Sequence, residues 1–167
     1  SPLLYDLTSL QREANGRFGF SAKGTLSLAQ SLYERHKVLT YPRTDARALP
    51  EDYIATVKKT MDALAAVKEF APFAKQVLKS GWVKANRRIF DNSKISDHFA
   101  IIPTLQTPGH LSEAEAKLYD LVVRRFLAVF FPSAEFLQTT RITSVGKEQF
   151  RTDGRVMQSP GWLAVYG

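Results

Sequence analysis

Apolar residues fall at helical spacing over several stretches of the chain. Leu7, Leu10 and Ala14 share one face of "DLTSLQREANGRF", which predicts a helix from Asp6 to Phe18 capped by Asp6. Gly19 then breaks it. Leu28, Ala29 and Leu32 mark the buried side of a second helix, capped by Ser21 and running to about His36. Val38-Leu39-Thr40-Tyr41 is β-rich and short, and Pro42 keeps Tyr41 out of the helical region. Pro50 opens a third helix, with Glu51 and Asp52 in its positive first turn, continuing to about Val67. A fourth spans Pro72 to Lys79 and stops at Gly81. Residues 86–107 read as irregular. Ser112-Glu113-Ala114-Glu115 is a capping box that opens the longest helix, ended by Pro132. Its buried stripe is Leu118, Leu121, Val122, Phe126, Val129 and Phe130. Glu113–Lys117 and Asp120–Arg124 are i,i+4 pairs on its wet face.

The texture changes after Pro132. "FLQTTRITSVGKEQFRTDGRVM" is β-branched and aromatic, which predicts two strands with a turn at Gly146-Lys147. The expected fold is therefore mainly α, with 1–132 a helical domain and 133–167 a short C-terminal β segment. A lone strand pair is marginal in water, so these strands are expected to belong to a second domain that the chain holds in part. The start at Ser1 and the end at "PGWLAVYG" read as those of an excised piece.

Composition narrows the function classes. Hydrophobic residues make up 44% and aromatics 11% of 167 residues, enough to form a core and unlike a disordered chain. Lys plus Arg is 23 against 16 Asp plus Glu, a net charge of +7 and a pI near 9.7. That balance points to a polyanion, nucleic acid first, although many domains are mildly basic without such a partner. With no cysteine, disulfides, thiolate zinc sites and cysteine catalysis are excluded. No apolar run approaches the roughly 20 residues of a membrane helix. His36, His98 and His110 are scattered and no acidic cluster occurs, so no metal site is expected. Glu113 and Glu115 are read as capping and dipole residues.

Three constellations could carry chemistry. In an extended segment Tyr41 and Arg43 project to one side. A phenol is a poor nucleophile at neutral pH unless cations favour its anion, and a guanidinium can grip two phosphate oxygens. The pair suits attack on a phosphodiester, but on spacing alone a packed tyrosine beside a surface arginine is the better-supported reading. In "KISDHFAIIPT", His98 could contact or protonate a phosphate oxygen, or cap and pack. Ser96, Asp97 and His98 are chain neighbours, which rules against a hydrolase triad. Finally, Gln11, Arg12, Arg17 and Lys23 lie near aromatics, a mixture that suits a single-stranded nucleic-acid groove or a plain solvated face. Gly16, Gly19 and Gly24 match neither a dinucleotide nor a P-loop spacing.

Taken in order, "LYDLTSLQREAN", "GFSAKGTLSLAQSLYE", "LTYPRTD" and "SDHFAIIPT" resemble the type IA DNA topoisomerases. "LTYPRTD" and "HFAIIPT" are most similar to the bacterial topoisomerase III branch. The resemblance covers most of residues 3–110.

The resemblance implies a helical, winged-helix-like domain carrying the catalytic tyrosine, with the strands after Pro132 belonging to the gate, or arch, domain. It implies that Tyr41 attacks one DNA strand to form a 5′-phosphotyrosine, that Arg43 contacts the scissile phosphate, and that His98 lies near it. Asp45 falls on the Thr-Asp of the motif and joins Gln11, Arg12 and Lys23 as an expected DNA-binding residue. The family's magnesium is held by a toprim domain, which this chain lacks. The implied partners are single-stranded DNA and the missing toprim and gate domains, not a membrane, in a bacterial cytoplasm at the nucleoid. The chain departs from the pattern at Ala46, where the family has Ser, and at Phe99, where it has His or Glu. The piece alone is expected to bind single strands without cutting them. A rival reading is a winged-helix module that binds duplex DNA and does no chemistry, for which Tyr41-Pro42-Arg43 has no use. A third, a purely structural basic domain, predicts no DNA binding.

Overall fold

A computed structural model describes residues 2–132, 135–145, 148–159 and 161–166, the strands by their backbone alone. The chain is mainly helical: α1 Leu7–Phe18, α2 Ala22–Glu34, α3 Ile54–Leu64, α4 Ala71–Ser80 and α5 Glu113–Phe130. Strands β1 Glu135–Val145 and β2 Glu148–Ser159 pair antiparallel, Val145 opposite Glu148. The expected turn residues Gly146 and Lys147 lie outside the described residues.

The helix ends obey local chemistry. Asp6 accepts a hydrogen bond from the Ser9 N–H and closes a capping box on α1. At the start of α2 the Ser21 hydroxyl accepts a hydrogen bond from the Gly24 N–H. Gly19 and Gly81 end α1 and α4 at φ 72° and 65°, left-handed values that cost glycine nothing. Three boundaries differ from expectation. The second helix stops at Glu34, before His36, and Lys37 follows at φ 58°. The third opens as a 3-10 turn, Glu51–Tyr53, and its α-helix ends at Leu64, before Val67. The short strand expected around Tyr41 is one isolated bridge, Leu39 to Pro103.

Helix α5 is the centre of the body. It packs against α1, α2 and α4 and against a 3-10 turn at Gly161–Tyr166. Every residue of the expected stripe is buried, as are Tyr119, Val123, Leu127 and Ala128. From Leu118 to Phe130 no residue of the helix is exposed, and the returning segment covers part of it. Arg124 still pairs with Asp120, but its Nη1 also donates to the Val165 carbonyl at 2.7 Å. Arg125 Nη1 donates to the Leu3 carbonyl at 3.0 Å, and its guanidinium lies 4.2 Å from the Tyr5 ring centroid. These arginines thus clamp both ends of the chain onto α5.

Candidate functional site

The site is made where "LTYPRTD" meets "SDHFAIIPT". Backbone bonds join Thr40 N–H to the Ile102 carbonyl at 3.0 Å and Thr104 N–H to the Val38 carbonyl at 3.0 Å. Threonine hydroxyls complete the seam. Thr40 Oγ1 donates to the Ala100 carbonyl at 3.0 Å and accepts from the Ile102 N–H at 2.9 Å. Thr44 is buried; its Oγ1 donates to the His98 carbonyl at 3.1 Å and accepts from the Ala46 N–H at 3.1 Å. The Thr44 carbonyl accepts from the Leu7 N–H at 3.0 Å, tying the site to the first turn of α1. A short segment without a ladder is thereby fixed on both sides.

This seam brings His98 onto Tyr41. Their rings stack with centroids 4.0 Å apart and planes 28° from parallel. Tyr33, from α2, meets Tyr41 edge-on at 5.4 Å and 85°. Two clefts lie beside the stack. The polar one, about 280 Å³, is lined by Arg43, Thr44, Asp45, Ser96, Asp97 and His98. The other, about 630 Å³, has Tyr33, Tyr41 and Phe99 among its walls. Pro42 and Arg43 lie in a bend, so Tyr41 and Arg43 line neighbouring clefts, and His98 links them by touching the one and lining the cleft of the other.

Of the residues singled out in the sequence, Tyr41, Arg43, His98 and Asp45 converge here. Arg43, Asp45 and His98 are exposed and accessible to a ligand, and Tyr41 is half-buried. Gln11, Arg12 and Lys23 line neither cleft. Gln11 Nε2 donates to the Ala22 carbonyl at 2.9 Å and braces α1 against α2. Arg12 and Lys23 are exposed on α1 and α2. The sequence reading missed Tyr33, Thr40, Thr44 and Thr104. The available signal was the threonine on either side of Tyr41-Pro42-Arg43, since buried hydroxyls there must find partners.

Behind the site, a polar link joins α2 to α5. Glu115 Oε2 accepts from the Ser31 hydroxyl at 2.8 Å and lies 2.9 Å from His36 Nε2, while Oε1 accepts from the Ser112 N–H at 3.0 Å. The Ser112 N–H first, and the Ser31 hydroxyl next, hold the Glu115 carboxyl at about 2. Glu115 is therefore a tertiary anchor as well as a capping residue.

Among the described residues no group of three or more His, Asp or Glu could hold a metal ion, and no helix is long and apolar enough to cross a membrane.

The sequence model of the DNA topoisomerase family matches residues 1–167. The chain belongs to the type IA DNA topoisomerase family. It is 51% identical to DNA topoisomerase 3 of Bacillus licheniformis and 48% identical to that of Bacillus subtilis, in each case over 99% of this chain. It spans 23% of the length of each of these relatives. Among solved structures, the full-length topoisomerase I of Thermotoga maritima has the same fold over 99% of this chain and 27% of its own, with a TM-score of 0.65 at 22% identity.

Proposed function

We propose that this chain is the catalytic-tyrosine portion of a type IA topoisomerase that cuts, passes and rejoins single DNA strands. The observation that carries the reading is the stack of His98 on Tyr41 beside the Arg43 cleft. Tyr41 Oη attacks the phosphorus of one phosphodiester. The new bond is a tyrosyl 5′-phosphate; the bond that breaks is to the 3′ oxygen, which leaves as a 3′ hydroxyl while the phenol gives up its proton. Attack by that hydroxyl reverses the step. The phosphodiester bond is kept as an ester throughout, so rejoining needs no ATP. Arg43 stabilises the charge that develops on the phosphate oxygens, and His98 positions the phenol and contacts the phosphate.

In this reading residues 1–132 are the winged-helix-like domain and 133–167 a part of the gate domain, with Gly161–Tyr166 returning the chain to α5. Asp45, which lines the polar cleft, contacts DNA there, while the exposed Arg12 and Lys23 meet the strand outside it and Gln11, its amide donated to Ala22, braces α1 against α2. Magnesium belongs to the toprim domain; the residues described here do not suit it, and no step on this chain is assigned to it. The parent enzyme works at the nucleoid, in the bacterial cytoplasm.

The test is complementation. The chain is mixed with a separately made toprim portion, magnesium and a single-stranded oligonucleotide labelled at its 3′ end. A labelled covalent adduct is expected, absent with Tyr41→Phe and absent without the toprim portion. An adduct that survives Tyr41→Phe would sink the assignment.

A further inference from the structure

The cleft on the Tyr33 side of Tyr41 has no part in the steps above. Its walls include three aromatic rings, Tyr33, Tyr41 and Phe99, with the exposed Glu34 and Lys37 also lining it. Phe99 is also one of the two positions at which the chain departs from the pattern of the resembling family, and its ring lies 5.0 Å from that of Tyr53. About 630 Å³ falls within the range of small-ligand sites.

The threonine hydroxyls of this cleft are already in use. Thr40 Oγ1 donates to the Ala100 carbonyl and accepts from the Ile102 N–H. Thr104 Oγ1 donates to the Lys37 carbonyl at 2.7 Å and accepts from the Gln106 N–H at 3.2 Å. At the rim, Glu34 accepts from Gln30 Nε2 at 2.7 Å. The floor therefore offers aromatic surface and threonine hydroxyls whose protons are committed. Such a surface holds a flat, π-faced group by stacking and reads little of its edge.

We propose that this cleft takes the unstacked base of the nucleotide adjoining the phosphate that Tyr41 attacks. The inference rests on the reading of Tyr41 as the attacking residue. Tyr41 then lines the base subsite and stacks on His98, which lines the phosphate subsite. The contact is sequence-tolerant, since every base has a π-face. It fixes the strand laterally and brings the phosphate to the phenol.

The experiment compares two strands of equal length, one of thymidylates and one of abasic residues, by fluorescence anisotropy with the purified chain at low salt. The wild type is expected to bind the thymidylate strand roughly five- to a hundredfold more tightly. Tyr33→Ala is expected to narrow that ratio severalfold while leaving the abasic strand's affinity unchanged, and Tyr33→Phe to restore it. Adenylate and cytidylate strands are expected within a few-fold of thymidylate. A wild-type ratio near one, or a ratio that Tyr33→Ala leaves intact, overturns the base cleft while the DNA-binding reading stands. Binding of neither strand overturns both.

Discussion

Tyr41 and His98 stack at 4.0 Å between ring centroids, and the carbonyl of His98 is held by the hydroxyl of Thr44, three residues beyond Tyr41. The two motifs therefore fix each other. The histidine has its position from the tyrosine segment, and the tyrosine ring has one face covered by the histidine.

That relationship separates two roles of His98. His98→Phe keeps an aromatic ring against Tyr41 but removes the nitrogens, while His98→Ala removes both. With the toprim portion supplied, both variants are expected to lower the rate of adduct formation by about 10²-fold or more, the scale of a lost proton-transfer or phosphate contact. His98→Phe alone is expected to retain wild-type stability to urea. Equal adduct rates for His98→Phe and wild type would show that the ring acts by packing.

Arg43 lines the polar cleft and is exposed, so its removal costs the fold little. Arg43→Ala is expected to slow adduct formation by about 10²–10³-fold, as for loss of one preorganised contact to developing charge. Arg43→Lys restores charge without the planar fork, so partial recovery is expected. Single-turnover rates at saturating oligonucleotide give the comparison.

The helix limits were largely legible because their causes are local. The Ser112–Glu115 box, glycines 19 and 81, and Pro132 each act within a turn of the residue they affect. The residues of the candidate site could be named from the sequence, but their arrangement could not. Tyr41, Arg43 and His98 stand in quotable motifs, whereas the stack depends on hydrogen bonds from Thr40 and Thr44 to carbonyls far along the chain. The bend at Pro42 and Arg43 also parts two side chains that an extended segment would set together. Gln11 illustrates the limit from the other side: its amide suits a base, and it is already donated to Ala22.

Thr44 is the positioning residue that follows from this arrangement. Thr44→Val keeps the shape but leaves the His98 carbonyl and Ala46 N–H without their partner. A loss of about 1–3 kcal/mol in unfolding free energy is expected from urea titration. A slower adduct rate is expected beside it, because His98 is no longer held at Tyr41. Thr44→Ser, which keeps the hydroxyl, is expected to recover the rate.

Glu115 is expected to contribute to the acid limit of the helical body. Its carboxyl ionises at about 2 when folded, against an ordinary 4.5, because the Ser112 N–H and Ser31 hydroxyl hold the anion. A depressed carboxyl stabilises the fold in full above the unfolded value, and that contribution is lost as pH falls from about 4.5 towards 2. The wild type is therefore expected to lose unfolding free energy steadily across that window. Glu115→Gln is expected to be less stable at pH 7, by about 1–3 kcal/mol, with a flatter profile below 4.5. The two curves converge only below pH 2, where both side chains are neutral. Urea titrations at pH 7, 5, 4 and 3 test this, and parallel curves for the two proteins would show that other carboxylates set the acid limit.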